Sequence, residues 1–135
     1  MKNIVLDTNC LLVCISTKSQ YHNVWTAFLN ENFNLCVSNE ILNEYEEILA
    51  KKVSPSFADM IIQVILNSEN VVFSHPVFRF NFITADPDDN KFVDCAVSAN
   101  ADYIVTNDRH FNILRDIEFP KINVIDIDTL KSILI

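Results

Sequence analysis

The sequence predicts an α/β fold of three layers, with a central parallel sheet of about five strands between two layers of helices. Short apolar runs of strand-like composition alternate along the whole chain with longer segments of helical periodicity, the pattern that builds parallel sheets. The first run, Ile4-Val5-Leu6, has no polar break, as a strand covered on both faces requires. Two of the runs also end alike, in Asp7-Thr8-Asn9 and in Thr106-Asn107-Asp108, which puts acids past the carboxyl ends of strands. In open α/β sheets that is where ligands bind.

The chain of 135 residues fits a single domain spanning 1–135, and its 50% hydrophobic content is that of a chain with a full core. It has no apolar run long enough to span a bilayer and no signal-peptide pattern at its N-terminus, so the expected location is the cytoplasm, without membrane contact. Cys10, Cys14, Cys36 and Cys95 lack CxxC spacing and sit in apolar surroundings, as buried reduced thiols do. Glycine is absent, so turns that need a left-handed residue fall to asparagine. The net charge of −8 argues against a broad basic surface gripping nucleic acid. Acids gathered in a metal site are neutralised once cations bind, so nucleic acid is not excluded as a substrate.

In chain order, Ile4–Leu6 is the first strand. Asp7 after it either serves a site or caps the helix that follows, whose start Cys10–Ile15 is apolar all round. Tyr21–Asn30 reads as a second helix, with His22 near its start as a packing or surface residue in preference to a catalytic base. Asn34–Val37 is the second strand. Ser38 then caps a helix over Asn39–Lys52, with Glu40 in its first turn and Lys51 and Lys52 in its last. On that helix Glu44 lies at the border of the apolar stripe, whereas Glu46 and Glu47 point outward. Ser54-Pro55 starts a further helix through Asn67. Val71–Ser74 is the third strand, and Val77–Thr84 reads either as an edge segment or as a loop. Asp86-Pro87-Asp88-Asp89-Asn90 begins like a calcium loop but lacks the required glycine and glutamate at Lys91 and Val97. A helix from about Asp89 to Asn100 fits better, with Asp88 or Asp89 at its N-terminus. Strands at Tyr103–Val105 and Asn123–Ile125 and a helix over Thr129–Leu134 close the series.

If the strands that carry Asp7 and Asp108 are neighbours where the strand order reverses, both acids meet in one crevice. Carboxylates held close together repel, and divalent cations remove that penalty. Mg²⁺ or Mn²⁺ suits oxygen ligands, and such ions can activate water, orient a phosphodiester and stabilise the leaving oxygen.

These motifs, Val5-Leu6-Asp7-Thr8-Asn9, Ser38 to Glu44-Tyr45, Asp86 to Phe92, and Ala101 to Asp108, resemble in order those of a PIN domain. The similarity is greatest to the short prokaryotic PIN proteins that act as toxins of toxin–antitoxin pairs. The resemblance implies a metal-dependent ribonuclease on a five-stranded parallel sheet, with Asp7, Glu44 and Asp108 as metal-binding and catalytic acids. It assigns the remaining acid to Asp89 or to Asp94, which cannot share one helix face because five residues turn about 140°. Asn9 and Thr106 resemble residues that position the carboxylates, and Lys91 or Arg109 would counter charge on a phosphate. The implied partners are an RNA substrate, an antitoxin protein and a second copy of the chain. Two other readings compete: a non-catalytic PIN scaffold that acts through protein contacts, and an aspartyl-phosphate phosphatase. The second wants an aspartate where Asn9 stands, or a lysine just after a late strand, and the sequence supplies neither.

Overall fold

The computed structural model describes residues 1–134. Strand β1 (Asn3–Leu6) is the middle of a five-stranded sheet. On one side it pairs in parallel with β2 (Asn34–Val37), which pairs with β3 (Val71–Phe73). On the other side β4 (Tyr103–Val105) pairs with β1 and then with β5 (Val124–Ile125), again all parallel. The order β3-β2-β1-β4-β5 therefore reverses between β1 and β4. Ile4, Val5 and Leu6 are each at most 2% exposed. Successive strand side chains point to opposite faces, so both faces of the sheet are covered and it forms the middle layer.

Helices α1 (Thr8–Ile15), α2 (His22–Leu29), α3 (Asn39–Lys52), α4 (Pro55–Leu66), α5 (Asn90–Ser98) and α6 (Ile127–Ile133) complete the fold. The caps lie where the sequence puts them: the Ser38 hydroxyl accepts from the Ile41 amide at 3.3 Å, and that of Ser54 accepts from Phe57 at 3.1 Å. Each satisfies a donor that a helix start leaves unpaired. The fully buried Tyr45 of α3 donates its hydroxyl to the Leu6 carbonyl at 2.5 Å, tying the helix that carries Glu44 to the end of β1.

Several local expectations are corrected. The helix after β1 begins at Thr8, two residues before the apolar run. The last helix begins at Ile127, because Asp126 caps it by accepting from the Thr129 amide at 2.8 Å. Of the two readings left open for Val77–Thr84, the loop is the one found, since the segment has no regular secondary structure. It is held by α5, where Asn90 binds both the amide and the carbonyl of Ile83 at 2.9 and 2.8 Å. Asp89 stands at the N-terminus of α5, one of the two acids expected there, but its side chain caps nothing; the Asp86 carboxylate accepts from the Asp88 amide and starts a 3₁₀ turn over Pro87–Asp89. A second 3₁₀ helix over Arg109–Asp116 has no counterpart in the sequence reading.

Among the described residues of this glycine-free chain the left-handed positions are Glu31, Asn81 and Asn100, so asparagine supplies two of the three. All four cysteines are free and buried, and burial pushes the thiols of Cys10, Cys14 and Cys36 up to about 12. Thiols so far from ionisation are packing groups. His22 is a packing residue too, its Nδ1 lying 3.0 Å from the Cys14 carbonyl.

Candidate metal centre

The reversal between β1 and β4 opens a crevice at the carboxyl ends of the strands, and four chain segments deliver acids to it. Asp7 follows β1 directly, and its amide donates to the Val105 carbonyl of β4 at 3.0 Å. It stands at the N-cap position of α1, yet its side chain caps nothing. Its Oδ2 instead accepts from the Thr106 hydroxyl at 2.8 Å, and the same Thr106 oxygen accepts from the Asp108 amide at 3.0 Å. One buried threonine thus contacts both acids. Burial is the main cause that raises the Asp7 carboxyl above its ordinary value; the Thr106 hydrogen bond opposes it, and Glu44 and Asp108 add to the rise.

Glu44 reaches the site from α3 and accepts from the Thr8 hydroxyl. Thr8, next to Asp7, escaped the sequence reading. Asn9, expected to position the carboxylates, is exposed and lines the rim of the crevice with Asp7 and Asp108. The correction follows from the helix start, which turns residue 8 inward toward α3 and residue 9 out to solvent.

Asp89 enters from the 3₁₀ turn before α5 and is 14% exposed. Burial, then the charges of Asp86, Asp7, Asp108 and Glu44, push its carboxyl up to about 7. Its Oδ2 is buried without a hydrogen-bond partner. A buried acceptor with no donor costs stability unless something else satisfies it. His110, unassigned from the sequence, sits beside this acid, with Nδ1 3.7 Å from Asp89 Oδ2 and 3.4 Å from Asp108 Oδ1. Together with Asp86 and Asp89 it offers ligand atoms within 4.8 Å of one another.

Asp94 lies apart from this group. It is 3% exposed and turned toward the 77–84 segment, where its Oδ1 accepts from the Phe80 amide at 3.1 Å and its Oδ2 lies 3.6 Å from Arg79. The turn of the chain between the two positions keeps these acids apart, and the Phe80 amide and Arg79 decide which of them is drawn away. Asp94→Asn is expected to leave metal affinity unchanged, because the amide oxygen can still accept from Phe80; calorimetric Mn²⁺ titration checks this.

Lys91 is likewise placed differently from a phosphate contact. Only 11% exposed, its ammonium lies 2.8 Å from Glu44 and 3.0 Å from Asp88. It serves as the internal counter-charge of the acid cluster. Removing it with Lys91→Met should lower the stability of the metal-free protein by about 1.5–3 kcal/mol, the range for hydrogen bonds to charged groups. Thermal unfolding in EDTA reads this, and saturating Mn²⁺ should shrink the deficit. Arg109 is exposed and lines a neighbouring cleft with Asp108.

The donors are mostly carboxylate oxygens, with the His110 imidazole beside them and the Asp89 Oδ2 unsatisfied, a set that fits a divalent cation.

A sequence model of the family described as PIN domain matches residues 3–110, and the chain belongs to that family. No curated protein matches it by sequence. Among solved structures, it is similar to VapBC2 from Rickettsia felis bound to a promoter DNA fragment, at a TM-score of 0.64 and 16% identity, over 92% of this chain and 98% of that one. It is also similar to Mycobacterium tuberculosis VapC20, a toxin that cleaves the sarcin-ricin loop, with a TM-score of 0.59 and 15% identity over 81% and 92% of the two chains. The PIN domain endonuclease Utp24 aligns at a TM-score of 0.53 and 16% identity, over 92% of this chain and 84% of that one. At these identities the likeness defines the shared fold.

Proposed function

We propose that this protein is a metal-dependent endoribonuclease and the toxin of a toxin–antitoxin pair. The observation that carries the reading is that Asp7, Glu44 and Asp108, from three other chain segments, lie near enough to Asp89 for their charges, after burial and Asp86, to help push its carboxyl up to about 7, with a buried Asp89 oxygen left unsatisfied. In this reading Asp7, Asp89 and Asp108 ligate Mg²⁺ or Mn²⁺ directly, and Glu44, held by Thr8 and Lys91, completes the set. The bound ion would supply water activation and charge neutralisation at a phosphodiester. The chain's own contribution is to hold the acids in place through Thr106, Thr8 and the Tyr45 hydroxyl. The family supports nuclease chemistry, and the fold similarity to VapBC2 and VapC20 supports the toxin role, an antitoxin partner and RNA as substrate.

The test is incubation of the purified protein with a mixed RNA pool in Mg²⁺, Mn²⁺ or EDTA. Cleavage in metal that stops in EDTA is the expected result. Cleavage that persists in EDTA, or none in any metal from folded protein free of antitoxin, would reject the reading.

A further inference from the structure

The 3₁₀ helix Arg109–Asp116 begins where the acid cluster ends, capped by the Asp108 carboxylate, which accepts from the His110 amide at 2.9 Å. With three residues per turn, every third residue of such a helix falls on one face. Phe111 and Leu114 occupy one row and are buried. Arg109, Asn112 and Arg115 occupy another, and all three line a cleft that shares Asn107 and Asp108 with the crevice containing Asp7. The row of two arginines and an amide is thus continuous with the candidate metal centre.

Charge makes the row distinctive in a chain of net charge −8. Arginine occurs three times, and Arg79 is already engaged, 2.7 Å from Glu40 and 3.6 Å from Asp94. Among the described residues, neither Arg109 nor Arg115 forms an ion pair, although the charge of Arg115, after hydrogen bonds from Thr129, helps hold the Asp126 carboxyl below its ordinary value. The facing wall carries Asp126 and Asp128, whose carboxylates hold the Thr129 amide and the Tyr21 hydroxyl. Asp108 lines the cleft as well, so an anion there meets three carboxylates beside the two arginines, and a cation on the acid cluster would remove part of that repulsion. At a rise of about 2.0 Å per residue, Arg109 and Arg115 stand roughly 12 Å apart, too far for one phosphate to reach both. The spacing suits a chain of phosphates, and guanidinium is the side chain best shaped to hold them.

Resting on the nuclease reading above, we propose that Arg109, Asn112 and Arg115 form a track for the phosphate backbone of single-stranded RNA. Arg109 holds the phosphate nearest the acid cluster and Arg115 one farther along the strand. The track gives an acidic protein a local grip on a polyanion and fixes the direction in which the strand leaves the site.

The experiment measures binding of a labelled, mixed-sequence single-stranded RNA to the Asp7→Asn protein across a range of salt concentrations, by fluorescence anisotropy. Arg115→Ala and Arg115→Lys are compared in that background, with Lys52→Ala as the loss of a cation from the far end of α3. Arg115→Ala should weaken binding several-fold and reduce the slope of log affinity against log salt by about 0.7, the value for one phosphate contact on a single strand. Arg115→Lys should restore the slope, while Lys52→Ala should leave it unchanged. If wild-type protein cleaves RNA but Arg115→Ala binds with the affinity and slope of Lys52→Ala, the track is wrong and the nuclease reading stands. If wild-type protein neither cleaves nor binds RNA, both fall together.

Discussion

Asp7→Asn is expected to abolish RNA cleavage while leaving the protein folded and, without metal, at least as stable as the wild type. Asp7 is 7% exposed, and burial together with Glu44 and Asp108 makes its negative charge unfavourable. Asparagine removes that charge, keeps the shape, and leaves an oxygen to accept from the Thr106 hydroxyl. What it removes is an anionic ligand at the centre of the cluster. Metal affinity should fall by at least about 100-fold, the upper end of the loss seen when only outer supporting groups are changed. Calorimetric titration with Mn²⁺ and thermal unfolding in EDTA, measured on the same preparations, separate the two effects. Lost affinity with a melting temperature equal to or above that of wild type is the predicted pair of results. An unfolded variant would instead make Asp7 a structural residue.

The second large effect concerns pH. Asp89, with its carboxyl at about 7, must release its proton before a cation can use it as an anionic ligand. Apparent Mn²⁺ affinity should therefore fall close to tenfold per pH unit below about 7, and binding at pH 7 should release about half a proton from this group. Titrations in buffers of different ionisation enthalpy measure that release. The same shift bears on stability, and its sign is that of a raised carboxyl. Below the ordinary value of 3.8 both folded and unfolded chains are protonated and no penalty exists. As the pH climbs from there the unfolded chain ionises first, so the metal-free folded state loses stability until the pH passes about 7. Asp89→Asn should flatten this decline, making the metal-free protein more stable than wild type at pH 8 while removing tight metal binding.

The sequence made the site legible where side-chain placement depends on local geometry. Asp7 and Asp108 follow from strand ends, and Glu44 from its angle on α3 relative to Tyr45 and Ile41. Local geometry could not choose between Asp89 and Asp94. Both lie at or on one helix, and only the path of the 77–84 segment, which brings the Phe80 amide and Arg79 to Asp94, assigns that acid elsewhere. His110 was missed because it reaches Asp89 through a 3₁₀ helix. A signal for that helix was present, since Phe111 and Leu114 are apolar at a spacing of three, but three residues also fit an ordinary helical turn. The sequence alone does not pair Lys91 with Glu44, because the two lie 47 positions apart on different elements. Thr8 and Asn9 differ only in which way the first turn of α1 points them, a choice made by packing against α3.

Diffraction from crystals soaked in Mn²⁺, recorded at a wavelength where manganese scatters anomalously, tests the central claim most directly. An anomalous peak enclosed by Asp7, Asp89 and Asp108, and absent in Asp7→Asn crystals, is the predicted result. Fully soaked crystals with no peak in that crevice, or with manganese bound only elsewhere, would contradict a metal centre built from these acids.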